Sequence, residues 1–86
     1  MILALCFLER GINMPERSQI TYMQARLARL AAQKWNVSIA DVGRLFGEYQ
    51  VFQHIRDHFD YYHLEGDEAI WEDLQPFFLH KGCPYV

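Results

Sequence analysis

The sequence predicts an all-α fold: a small bundle of three main helices plus a short C-terminal helix. Three observations lead there. Apolar residues recur at three- and four-residue steps, the period of a helix face. Residues that start and stop helices punctuate those stripes. The chain has 86 residues and 51% hydrophobic content, enough for one thin core and too little for a second domain.

The first helix is expected at about 16–35. Ile20, Met23, Leu27, Leu30, Ala31 and Trp35 make one apolar stripe. Ala25, Ala28, Ala31 and Ala32 add helix propensity and allow close packing. Arg17, Arg26, Arg29 and Lys34 fall mostly on other faces and are expected in solvent. Asn36 tolerates the left-handed conformation and ends the helix. Pro15 and Glu16 suit a helix opening. The domain is therefore drawn at 14–80, with a tail at 81–86. Residues 1–13 read either as an extension docked on the domain or as a stretch preceding a start at Met14. The helix-opening residues favour the second reading.

Ser38 is the expected cap of a second helix, with Asp41 in the capping-box position. Ile39, Val42, Leu45 and Phe46 are its expected buried face, and 47–50 the break that follows. A third helix is expected at 51–62, where Val51, Ile55, Phe59 and Tyr62 line up. Residues 64–67 read as a turn in which Gly66 is free to take positive φ. Pro76 is costly inside a helix and cheap in the first turn. The last helix is therefore placed at 73–80 with Asp73 as its cap. One helix from Asp67, kinked at Pro76, is the alternative.

The net charge of −3 argues against a general nucleic-acid binder. It also hides an asymmetry. Residues 14–47 hold five basic and two acidic side chains; residues 48–80 hold eight acidic ones and a single Arg56. The acidic part carries most of the aromatic rings, among them Tyr61, Tyr62 and Trp71. Rings beside carboxylates suit docking on a basic protein surface: the rings bury area and the carboxylates steer approach. The competing reading is an ordinary acidic surface over an aromatic core.

Evidence for catalysis is thin. Cys6 and Cys83 sit near opposite ends without a CxxC partner, as expected of free thiols in a reducing cytoplasm. Neither has a nearby base to activate it. No glycine-rich phosphate loop is present. His54 and His58 are one turn apart and lack a firm third ligand, so surface histidines beside carboxylates are the expectation, with no metal. Met1 to Leu8 is apolar over only eight residues, and neither a signal peptide nor a membrane span is expected. Ser38 to Phe59 also reads as a helix-turn-helix with Gln50, Gln53, His54, Arg56 and Asp57 offered to DNA. Glu48, Asp57 and Asp60 would then face phosphates with almost no cationic support.

From Val37 to Phe78 the chain resembles a domain-of-unknown-function family of small helical bacterial proteins. The residues that carry the resemblance are Ser38, Asp41-Val42, Leu45-Phe46, Tyr49, Val51, Ile55, Asp60, His63, Gly66, Glu68, Ile70, Glu72-Asp73-Leu74 and Phe77 or Phe78. Phe59, Tyr61-Tyr62 and Pro76 depart from its usual pattern. The resemblance implies a small cytoplasmic accessory protein, often encoded beside a protein resembling ADP-ribosyltransferases. It thereby implies an antitoxin-like or chaperone-like partner of that neighbour. His63 and Gly66 match the family's turn, where Gly66 would serve backbone geometry and His63 would cap carbonyls.

The function expected is a protein-interaction module, with no enzymatic activity and no cofactor. Its contact residues would be Tyr61, Tyr62, Glu65, Asp67, Glu68 and Trp71, with His63 and Gly66 forming a structural turn. A homodimer would suit the small core, and no membrane partner is expected. The alternative is a helix-turn-helix-like DNA-binding regulator.

Overall fold

The computed structural model describes residues 2–85, with side chains described over 17–85. The predicted all-α class holds: among the described residues every regular element is a helix. In order they are α1 (Ile2–Trp35), α2 (Ile39–Glu48), α3 (Val51–Asp57), α4 (Phe59–Tyr62) and α5 (Asp67–Lys81). The long α1 is the spine, against which α2, α3 and α5 pack.

α1 does not open at Pro15; its backbone is helical from Ile2. The proline ring holds φ near the helical value, so it does not by itself end a helix. The two readings of residues 1–13, and the state of the Cys6 thiol, concern side chains outside the described residues. Further along, the predicted stripe is buried as expected at Met23, Leu27 and Ala31, with Ile20, Leu30 and Trp35 partly covered. Asn36 closes the helix at φ 55°, in the left-handed region.

Ser38 caps α2 as predicted: its hydroxyl accepts the Asp41 amide at 3.0 Å. The Asp41 carboxylate takes Arg44 at 3.3 Å. Val42, Leu45 and Phe46 are buried, but Ile39 is 53% exposed. Ile39 is the first residue of its helix, before the turn that packs on α1. The chain turns into α3 through Gln50 at φ 62°.

The single helix expected at 51–62 is broken at His58, whose φ is −109° and ψ 16°. The amides of Tyr61 and Tyr62 both bond the His58 carbonyl, at 3.0 and 2.8 Å, so the hydrogen-bond ladder restarts there. Val51, Ile55, Phe59 and Tyr62 nevertheless all face the core. The break redirects the chain without turning its apolar face outward.

The last helix starts at Asp67 and not at Asp73. It carries Pro76 in its interior. The correction follows from magnitudes. Starting at Asp67 buries Ile70 and Trp71 beside Leu74 and Phe78. Burying each large apolar side chain is worth about 1.5–3 kcal/mol. An interior proline costs roughly 3 kcal/mol, so two such residues outweigh it. Gly66 precedes this helix at φ −81°, in the extended region. The predicted positive φ is therefore not used. The left-handed glycine is Gly82, at φ 81°, which ends α5.

The predicted tail is partly ordered. The Cys83 amide bonds the Phe78 carbonyl at 3.0 Å, and Cys83 is a buried free thiol. Tyr85 then stacks on Trp35, with ring centroids 5.1 Å apart. Trp35 also meets Trp71 at 5.5 Å and Phe78 at 5.3 Å. This aromatic cluster joins α1, α5 and the segment after it.

Candidate functional site

The six residues expected to contact a partner separate into three groups. Trp71 and Tyr62 are not surface residues: Trp71 is 6% exposed and Tyr62 is buried among α3, α4 and α5 neighbours. An excess of aromatic residues in a sequence does not by itself make an aromatic surface. The helical period of α5 instead aligns Trp71 with Leu74 and Phe78, and the α4 turn carries Tyr62 inward beside Phe59. Tyr62 Oη lies 3.2 Å from His54 Nε2. Burial, with help from Asp73 and Glu65, pushes the Tyr62 phenol up to about 12.

Asp67 and Glu68 meet cations of the same chain. Arg26 of α1 reaches both oxygens of Asp67 with Nε at 3.2 Å, and a terminal nitrogen lies 3.0 Å from Oδ1. Lys34, two turns along α1, lies 3.2 Å from Glu68 Oε1. Sequence reading missed both pairs, because nothing local signals contacts across 41 and 34 residues. The positive stretch and the negative stretch are complementary to each other within one molecule.

Tyr61 and Glu65 remain at the surface. Tyr61 is 57% exposed and Leu64 is 77% exposed. Leu64, an apolar residue within a predicted turn, carries no sequence signal that marks it as a contact. Glu65 is half-buried, and its Oε1 is sheltered without a hydrogen-bond partner. Burial and the facing Asp73 carboxylate raise the Glu65 pKa. The same two acids, Glu65 first, raise that of Tyr61. Among the described residues, Asp60, Glu65, Glu72 and Asp73 have no ion-pair partner. A cleft of about 310 Å³ adjoins this edge, walled by Tyr22, Met23 and Arg26 of α1 and by Phe59, His63 and Glu65.

The His63 Nδ1 donates to the Phe59 carbonyl at 3.0 Å. Its ring stacks on Phe59, centroids 5.2 Å apart. Gly66 has open space where a Cβ would stand. The His54 and His58 rings lie 4.1 Å apart, tilted 34° to each other. Among the described residues, no group of three or more His, Cys, Asp or Glu is placed to hold a metal ion. None of the described helices is long and apolar enough to cross a membrane.

The family model of DUF3791, a protein of unknown function, matches residues 23–79. The chain belongs to this family. The match begins in α1 at Met23 and ends at Leu79 of α5. It takes in the Arg26–Asp67 and Lys34–Glu68 pairs and the exposed Tyr61–Leu64 edge. The resemblance seen at 37–78 is thus to an unknown-function family and extends further toward the N-terminus. No curated protein and no solved structure matches the chain significantly.

For this DUF3791 member the helix-turn-helix reading would place α3 on DNA. The candidate reading helix α3 has seven residues. Its polar side chains bond one another: Gln53 donates to Asp57 at 2.9 Å and Arg56 donates to Gln53. Gln50 receives Lys81 at 3.3 Å.

Proposed function

We propose that this DUF3791 protein is a protein-interaction module whose acidic edge covers a basic surface of another protein. The observation that carries the reading is the pairing of exposed Tyr61 and Leu64 with Asp60, Glu65 and Asp73, carboxylates without an ion-pair partner among the described residues. Large exposed apolar side chains beside unneutralised acids supply both parts of a docking surface, contact area and electrostatic steering. Asp67 and Glu68 belong to the internal frame in this reading, and Trp71 and Tyr62 hold that frame from inside. The resemblance to small bacterial accessory proteins supports an antitoxin-like or regulatory role in the cytoplasm, with the product of a neighbouring gene as partner. The reading assigns no catalytic residue and no cofactor.

Mixing the purified chain with the purified neighbouring-gene product tests it. The expected result is a complex weakened about tenfold by Tyr61→Ala, more by Glu65→Lys with Asp73→Lys, and progressively by salt. Unchanged affinity in both variants overturns the reading, as does salt-dependent retardation of the gene's own promoter DNA by the chain alone. A concentration-dependent dimer that buries Tyr61 would reassign the edge to a second copy.

A further inference from the structure

A second feature lies away from that edge, at the break between α3 and α4. His54 is half-buried on α3, its ring stacked on Phe77 of α5 with centroids 4.0 Å apart. The His58 ring lies 4.1 Å from it, tilted by 34°. Its Nε2 lies 3.2 Å from the Tyr62 hydroxyl on α4. One imidazole therefore touches α4, α5 and the residue at which the helix breaks. His58 Nδ1 faces the His54 carbonyl at 2.9 Å, and since a carbonyl only accepts, that nitrogen carries the hydrogen. The His58 ring is thus held beside His54 by the His54 carbonyl.

We propose that the His54–His58 pair is a proton-responsive joint that docks α4 while neutral and releases it when charged. Two cationic rings with centroids 4.1 Å apart repel each other strongly, and a charged His54 loses solvation against Phe77. The other charged groups that face His54 are Asp57 on α3, which favours its proton, and Lys81 on α5, which opposes it. Burial is the largest influence, followed by His58, and together these hold the His54 pKa below its ordinary value. Tyr62 stays a neutral phenol throughout this range. The sign follows. A depressed histidine contributes stability at pH above its unfolded value, and that contribution is lost as pH falls through the folded value. The amides of Tyr61 and Tyr62, bonded to the His58 carbonyl, register the release.

Hydrogen exchange of those two amides, corrected for intrinsic rates, provides the test. In the native chain their protection is expected to fall at least tenfold between pH 7.5 and 5.0, while α1 amides near Leu27 change less. His54→Phe keeps a flat ring on Phe77 and cannot be charged, so its protection is expected to be flat with pH. An equal fall in His54→Phe, or no fall in the native chain, overturns the proposal. An NMR titration of the native His54 ring stands independently of any variant: a midpoint below that of an unstructured histidine supports the joint, and one at or above it overturns it.

Discussion

Arg26 grips Asp67 across the bundle, Nε 3.2 Å from both carboxylate oxygens and a terminal nitrogen 3.0 Å from one of them. Asp67 is the first residue of α5, so its charge also meets the positive end of that helix. The same Arg26 lies 4.8 Å over the Tyr22 ring. Asp67→Asn is expected to lower stability by about 0.5–1 kcal/mol, since the pair is partly exposed. Glu68→Gln, which removes a more exposed pair, is expected to change little. Urea unfolding at low and high salt separates the two, because salt should shrink the Asp67 effect.

Leu27 is fully buried where α1 meets the other helices. Leu27→Ala is expected to cost about 2–5 kcal/mol, a large part of what a domain this small possesses. Ile39→Ser removes an apolar side chain of similar size from the surface and is expected to stay within about 0.5 kcal/mol. Thermal melts followed by circular dichroism distinguish the two positions.

Glu65 faces Asp73 with a raised pKa. A carboxyl group raised on folding contributes stability below its unfolded value, and that contribution is lost as pH rises through the folded value. Glu65→Gln places an amide donor beside Asp73 and removes the repulsion. It is expected to raise the melting temperature at pH 7, with the gain vanishing toward pH 4. A gain that is independent of pH would count against the carboxylate contact.

Three glycine-like positions should respond differently. Gly66 is extended and has open space around a Cβ position, so Gly66→Ala is expected to be nearly neutral. Gly82 is left-handed, and Gly82→Ala is expected to cost about 1 kcal/mol. Gln50 occupies the left-handed region without being glycine, and Gln50→Gly is expected to be neutral or to stabilise despite losing the Lys81 contact. Denaturant midpoints of the three variants give the order.

Pro76 interrupts the hydrogen bonding of α5 from within. Pro76→Ala restores an amide for the Glu72 carbonyl and is expected to stabilise by about 1–3 kcal/mol. Hydrogen exchange across α5 should slow as well.

Local chemistry determined the helices and most of their inner faces. The stripe through Met23, Leu27 and Ala31, the Ser38 cap, the Asn36 stop and the Val51–Ile55–Phe59–Tyr62 face are all properties of residues within one or two turns. Tertiary structure decided the rest. The start of α5 depended on burying Ile70 and Trp71, a gain that appears only once a core exists to receive them. Which acids are paired across the bundle depended on Arg26 and Lys34 reaching Asp67 and Glu68. Hydrogen bonds within a turn are set by neighbours in sequence, whereas burial and ion pairing between helices exist only after the chain has folded back on itself.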